Sequence, residues 1–351
     1  MSLPKAENTL HAGASLARTL YGMPLTVLLR GELGAGKTTF FQGFAKGLGV
    51  HEHVMSPTFA LEQRYATQEL GELLHIDLYR LRANQAQELL AATDDHQGIR
   101  CIEWPERLGV DVDAVFAEAI VVSLTEEPPT ATRTVRDGPA RTMLFGSGGR
   151  HITVEFRDIP LPTPQEVALW RTEVQLPTRI IAHSHTVGAF AKALASALAA
   201  QCTIARPGAL SVSGELHDLF RFVDFRALPH ARTFIPTEKE EEVWTKWRER
   251  FNGLRHEEAA ATFLREKGYA AVGDIISSHG LRLPSSERVT IEQKALFYAD
   301  KRVQEDAIVS LRARFEDFQT RYGESDRITS KVWYEEAKKV EKELFPDGAP
   351  F

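Results

Sequence analysis

The apolar positions change their period once along the chain. In the first half, short apolar runs stand between helical stretches: Leu25-Thr26-Val27-Leu28-Leu29-Arg30, then Leu73-Leu74-His75-Ile76-Asp77, then Ile99-Arg100-Cys101-Ile102-Glu103. Runs of this length bounded by turn formers predict buried strands. Phe59-Ala60-Leu61 reads as the entry to another strand. Leu10, Ala14, Ala17 and Leu20 fall on one side of a helix over residues 8–20, which Gly22 and Pro24 end, and Thr39 to Leu48 also has helical spacing. Asp158-Ile159-Pro160-Leu161-Pro162-Thr163-Pro164 then reads as a stiff linker, and beyond it every apolar pattern is helical. The expected architecture is an α/β domain over 1–157, a Pro-rich linker over 158–168, an all-α domain over 169–335, and a C-terminal helix end with a loose tail over 336–351.

With 351 residues the chain has room for two or three domains and more than one sizeable core. The net charge of −6 gives no bulk electrostatic footprint for nucleic acid or for an acidic membrane and leaves only a local basic patch open; direct DNA binding is not expected. Two cysteines, Cys101 and Cys202, imply no disulfide framework and fit a reducing compartment. The apolar runs fall far short of the about 18 residues of a membrane span, and the N-terminus does not read as a signal peptide. A cytoplasmic protein is expected.

The first stretch that carries chemistry is Gly31-Glu32-Leu33-Gly34-Ala35-Gly36-Lys37-Thr38, a G-x-x-x-x-G-K-T phosphate-binding P-loop set between a strand and a helix start. Its glycines let successive amides turn inward as an anion nest, and the following helix adds its positive end. Lys37 supplies a mobile charge for the phosphates and Thr38 a hydroxyl for Mg²⁺. The expected ATP contacts are Gly31, Glu32, Leu33, Gly34, Ala35, Gly36, Lys37, Thr38 and Thr39.

Two short strands end in acids. Asp77 could hold Mg²⁺ directly or through water, or simply cap the turn that follows. Glu103 could orient the attacking water or bind the metal. Lys37, Asp77 and Glu103 are therefore the candidate catalytic set. Ser56 and Thr58 bring hydroxyls that could reach the γ-phosphate, although alone Ser56-Pro57-Thr58 reads as a loop that opens a strand. Trp104 reads first as core.

GELGAGKTT, SPTF, HIDLYRL and IEWPER, in this order, resemble the TsaE family over roughly residues 8–157. The resemblance implies an α/β P-loop fold, ATP on the loop, and Mg²⁺ near Thr38 with Asp77 and Glu103 close by. It also implies ATP turnover in support of threonylcarbamoyladenosine synthesis on tRNA, with TsaB and TsaD as partners. Ile120 to Leu124 and Ile152 to Phe156 look like the family's closing strands, and Thr125 to Gly149 between them reads as a long Pro-, Thr-, Arg- and Gly-rich loop.

The helical half carries a second constellation. Ile180, His183, Val187, Phe190, Ala191, Leu194 and Leu198 share one helix face, so His183 turns inward. His217-Asp218 lies in an apolar helical run, where two buried polar groups need partners that a metal could supply. His256 falls near a helix start, His279 at a helix stop, and Asp300 on an otherwise apolar helix. This order resembles the HD superfamily of metal-dependent phosphohydrolases over roughly 170–320. By that resemblance His183, His217, Asp218 and Asp300 match the core metal ligands, and His256 and His279 match the additional positions of members that bind two metals.

The His/carboxylate set suits Mn²⁺, Fe²⁺, Co²⁺ or Zn²⁺, with Mn²⁺ or Fe favoured for a two-metal hydrolase and Mg²⁺ less so. Lys301 and Arg179 are candidate phosphate contacts or surface charges. Glu257-Glu258 reads as helix-start acid, and the Trp244/Trp247 pair as core. The expectation is an ATPase of tRNA modification fused to a hydrolase of a nucleotide-like phosphate ester. The alternatives are a helical half that senses a nucleotide without turning it over, or a nucleotide hydrolase unrelated to tRNA.

Overall fold

The computed structural model describes residues 6–125, 142–145, 151–226, 235–322 and 327–351. They divide into two compact units, one of Met1–Ile159 with Ser196–Arg206, the other of Pro160–Ala195 with Pro207–Phe351.

In the first unit, α1 (Ala6–Leu16), β1 (Leu25–Arg30), α2 (Lys37–Gly47), β2 (Glu62–Ala66), β3 (Glu72–Asp77), α3 (Ala83–Ala91), β4 (Ile99–Glu103), α4 (Val112–Val115), β5 (Ile120–Thr125), β6 (Thr142–Phe145) and β7 (His151–Phe156) follow in order. The sheet runs β2-β3-β4-β1-β5-β7-β6. Its central strands β3, β4, β1 and β5 are parallel, and antiparallel strands close both edges. The central strands read as nearly unbroken apolar runs because both faces are covered, whereas β7 alternates buried and half-buried residues. One face packs Leu28, Leu74, Ile76, Ile102 and Val121 against Ala86 and Leu90 of α3. Alternate residues, among them His75, Asp77, Cys101 and Glu103, turn to the other face.

Two expectations for this half change. Phe59–Leu61 is a turn, and the strand starts at Glu62, because Leu61 takes φ 68° and its carbonyl caps Asp77 N–H. The expected loop after Thr125 lies, at 126–141 and 146–150, outside the described residues. Within it, however, Thr142–Phe145 forms a strand antiparallel to β7, hidden in the sequence by its Gly- and Pro-rich flanks. The first unit also takes in Ser196–Arg206. Arg206 there is buried, gives both terminal nitrogens to Asp158 at 2.6 and 2.8 Å, and donates to the Thr19 carbonyl.

The second unit is helical: α5 (Pro164–Glu173), α6 (Thr178–Ala200, which crosses the division), α7 (Pro207–Leu216), α8 (Glu238–Arg250), α9 (His256–Glu266), α10 (Ala270–Ser277), α11 (Ile291–Lys301), α12 (Leu311–Tyr322) and α13 (Arg327–Leu344). A two-stranded hairpin, β8 (Val303–Gln304) with β9 (Ala307–Ile308), interrupts the all-helical expectation. Capping boxes start α5 at Thr163/Glu166 and α8 at Thr237/Glu240. The core includes Trp170, Phe220, Phe222, Trp244, Phe251 and Phe263, with the Trp244 indole N–H bound to the Val174 carbonyl at 2.9 Å. The expected loose tail after Phe345 is largely exposed, but its end makes contacts. Phe345 is buried, the Phe351 ring sits edge-on to Phe190, and the Phe351 carbonyl accepts from Arg302.

Candidate phosphate and metal sites

The phosphate loop leaves the C-terminal end of β1, a central strand between β4 and β5. Gly31, Gly34 and Gly36 take φ of 138°, 86° and 102°, a region that strains any residue with a side chain. A Cβ at Gly31 would also fall 2.3 Å from the Leu124 carbonyl oxygen. Lys37 is the first residue of α2. Its Nζ donates to the carbonyls of Gly31 (2.7 Å) and Glu32 (2.9 Å) and lies 3.8 Å over the Trp104 ring. Burial lowers the Lys37 pKa, while Glu103, Glu106 and Asp77 hold it up.

Asp77 and Glu103 are paired neighbours at the ends of parallel β3 and β4. Asp77 Oδ2 accepts from Thr58 Oγ1 at 2.6 Å and Ser56 Oγ at 3.3 Å, and Oδ1 accepts from Tyr79 N–H at 2.9 Å. The hydroxyl loop and the acid singled out separately in the sequence thus meet. Thr38 and Thr39 follow Lys37 in the first turn of α2, and Glu32, Leu33 and Ala35 fill the loop between the glycines. Trp104 is half-buried against Lys37 and Tyr79 rather than deep in the core.

In the second unit, the six residues picked from the sequence converge. Three sets, His183/His217/Asp218, His217/His279/Asp300 and Asp218/His256/His279, each bring their ligand atoms within 4.8 Å of one another. His217-Asp218 lies just past the end of α7 rather than inside a helix. The His217 ring turns back and its Nδ1 donates to the Gly214 carbonyl (2.8 Å), which ends the helical ladder there.

The other histidines are held the same way. His183 Nδ1 donates to the Glu305 carbonyl at 2.8 Å, His279 Nδ1 to the Ile276 carbonyl at 2.7 Å, and His256 Nδ1 to Asp224 Oδ2 at 2.7 Å. A carbonyl or a carboxylate only accepts, so each Nδ1 carries a proton, and Nε2 is the ring atom that each histidine turns into the cluster. Those Nε2 atoms turn toward two carboxylates. His183 Nε2 lies 3.2 Å and His217 Nε2 3.6 Å from Asp300 Oδ1, while His256 Nε2 lies 3.2 Å and His279 Nε2 3.9 Å from Asp218 Oδ1.

Electrostatics follow the burial. Burial, then His217 and His256, push the His279 pKa down to about 3. Burial also pulls on His217, but Asp218 and Asp300 outweigh it and raise its pKa. Burial works against the charge of Asp218 and Asp300 too, yet both are held well below the usual carboxylate range, Asp218 chiefly by His217 and Arg221 and Asp300 chiefly by Lys301. The residues fit a divalent metal: His217 Nε2 is buried with no hydrogen-bond partner, and imidazole with carboxylate is the donor set of first-row transition ions.

Asp224 and Glu257 escaped sequence reading. Asp224 is buried in the 3₁₀ stretch Arg221–Arg226 and accepts from both His256 N–H and Nδ1. Glu257 is not a solvated helix-start acid but buried, 3.1 Å from His256 Nδ1. Of the candidate phosphate contacts, Lys301 is buried against Asp300, and Arg179 is exposed. Arg221, also missed, directs Nη1 at His256 Nε2 from 3.1 Å.

The family model of the threonylcarbamoyl adenosine biosynthesis protein TsaE matches residues 3–135. The chain is similar to the tRNA threonylcarbamoyladenosine biosynthesis protein TsaE of Synechocystis, 39% identical over 111 residues that cover 30% of this chain and 69% of the relative. It is likewise 42% identical over 114 residues to TsaE of Nostoc (30% of this chain, 67% of the relative) and 41% identical over 107 residues to TsaE of Aquifex aeolicus (30% and 75%). The residues matched by the family model hold the P-loop, Asp77 and Glu103, and none of the His/Asp cluster. Through this N-terminal part, the chain belongs to the TsaE family.

Proposed function

We propose that the N-terminal unit hydrolyses ATP in support of tRNA threonylcarbamoyladenosine synthesis, together with TsaB and TsaD, and that the helical unit is an HD-type metal-dependent phosphohydrolase of a nucleotide-like phosphate ester. The first half rests on the family membership and on the pairing of Asp77 with Glu103 beside the phosphate loop. The loop amides bind phosphate, and Lys37 exchanges the Gly31 and Glu32 carbonyls for phosphate oxygens. Glu103 orients the water whose oxygen bonds to the γ-phosphorus, while the bond to ADP breaks and its electron pair leaves with ADP. Thr38, Asp77 and Glu103 would hold Mg²⁺, which when bound offsets charge on the β- and γ-phosphates.

The observation that carries the second half is the shared orientation of four imidazoles, every Nδ1 donating and every Nε2 turned to Asp218 or Asp300. His183, His217, Asp218 and Asp300 would hold one ion, and Asp218, His256 and His279 a second. Mn²⁺ or Fe, when bound, acidifies a coordinated water and draws charge from a phosphoryl group. Arg221 adds positive charge for a phosphate.

Two measurements test the reading. Association of the full chain with TsaB and TsaD, and ATP turnover that Lys37→Ala abolishes, are expected; no association sinks the tRNA role. Phosphate release from a nucleotide panel with Mn²⁺ is expected to vanish in His217→Ala/Asp218→Ala. A metal-loaded protein that turns over no nucleotide would instead favour a sensing module.

A further inference from the structure

His75 lies in the HIDLYRL stretch, and the reaction as set out above leaves it without a task. It is fully buried on β3, two residues before Asp77 and on the same face of the sheet. Its Nε2 is 3.0 Å from Glu103 Oε1. Glu103 is only 2% exposed, and among the described residues no other side chain donates to its carboxylate. An ionised carboxylate accepts only, so Nε2 carries the proton. The remaining nitrogen, Nδ1, is buried with no hydrogen-bond partner.

The ring is fixed from its other side as well. Phe41 of α2 stacks on it with centroids 3.6 Å apart and planes 22° from parallel. Phe41 sits four residues after Lys37 on the helix that the phosphate loop opens. Phosphate loop, α2, Phe41, His75 and Glu103 therefore form one continuous line of contacts, and the hydrogen bond to Oε1 leaves Oε2 for the reacting water or its metal.

We propose that His75 is a positioning residue for Glu103, holding its carboxylate in the orientation that ATP hydrolysis uses. This rests on the ATPase reading of the P-loop unit, and it predicts a role in turnover rather than in nucleotide binding, because the one hydrogen bond of the His75 ring runs to Glu103 and none runs to the phosphate loop. A purely structural histidine stacked on Phe41 would instead be replaceable by any side chain that fills the same space.

The test uses the full chain as His75→Leu, which keeps most of the volume, and His75→Gln, whose amide can still donate to Glu103. His75→Leu is expected to lower kcat about 100-fold, as a misplaced reacting group does. KM for ATP and the calorimetric affinity for ADP should stay within about twofold, the signature of an interaction used in turnover. His75→Gln should recover most of the loss, and His75→Leu combined with Glu103→Gln should be no slower than Glu103→Gln alone. Unchanged kcat in His75→Leu overturns the proposal. So does a loss that His75→Gln does not repair and that extends equally to ADP affinity.

A failure of the underlying ATPase reading looks different: turnover would then be indifferent to Lys37→Ala. The bond itself is read without turnover. Histidine ¹⁵N spectra should show a protonated Nε2 at His75 that shifts in Glu103→Gln, and an Nε2 indifferent to that change overturns the proposal whatever the rate.

Discussion

The Nε2 atoms of His256 and His279 face each other across 3.1 Å. Both rings have already committed their Nδ1 protons, one to Asp224 and one to the Ile276 carbonyl. The two Nε2 atoms lie within hydrogen-bond distance of each other, with Asp218 Oδ1 beside them at 3.2 and 3.9 Å. Two imidazoles and a carboxylate gathered this closely make a donor set that a divalent cation would fill, and Arg221 approaches His256 Nε2 from the side at 3.1 Å.

Metal removal is the direct consequence. Elemental analysis should find one or two transition-metal ions per chain, absent from His217→Ala/Asp218→Ala. Stripping the ions with a chelator forfeits about 2.7 kcal/mol if they are present at about 100 times their Kd. For a unit of this size that is a fall in Tm of about 5–10 °C. A melting curve that ignores chelator and added Mn²⁺ alike would leave the cluster a structural one.

Asp224 offers a finer test, because it holds His256 by both its amide and Nδ1 and also pairs with Arg221 at 3.8 Å. Asp224→Asn keeps the shape and one acceptor but cannot serve both the His256 amide and Nδ1 as the carboxylate does. Removing such an outer partner of a metal-bound histidine typically weakens metal binding about 10- to 100-fold. Competition against a chromogenic chelator measures it, and an unchanged affinity would show that the Ile276-type carbonyl contacts suffice to orient these rings.

Lys37→Ala should weaken ATP binding about tenfold or more, since a hydrogen bond from a charged donor contributes about 1.5–3 kcal/mol. Calorimetry decides it. In this structure the ammonium ties Gly31 and Glu32 together, so loss of affinity must be read beside an unfolding curve that shows the loop unit intact. Unchanged affinity would remove Lys37 from the nucleotide site.

What could be read from the sequence was what local pattern encodes. The β1 run, the glycines of the phosphate loop, and Asp77 and Glu103 as strand-terminal acids all follow from residues near one another in sequence. The six His/Asp positions were each visible as polar residues at helix ends or faces, but their grouping into one cluster came from the resemblance to the HD order and not from periodicity. Asp224, His75 and Glu257 were not legible, because their meaning lies in partners reached through space. Asp224 stands 32 residues from His256 in a 3₁₀ stretch without periodicity, and His75 meets Glu103 across 28 residues. Glu257 has the sequence signature of an ordinary first-turn acid, and only the folded chain buries it beside His256. The same holds for Ser196–Arg206, which follows the linker in sequence yet belongs to the first unit by its contacts.

One crossing sets the distance between His183 and His217. Gly188 of α6 and Gly214 of α7 touch backbone to backbone: a Cβ on Gly214 would lie 2.4 Å from Gly188 Cα and 2.5 Å from its nitrogen. No side chain can yield there, so Gly214→Ala must push the two helices apart. His183 follows α6 and His217 follows α7, and their ring centroids are now 5.3 Å apart. Overpacking of this kind costs about 1–3 kcal/mol, and at the metal cluster a separation of even a fraction of an ångström breaks the convergence on Asp300. Gly214→Ala should therefore lower Tm and also shed metal, while Gly22→Ala, whose Cβ would meet nothing within 4 Å, should do neither. A Gly214→Ala protein that melts lower but retains its full metal content would mean that His183 does not depend on this crossing to reach the cluster.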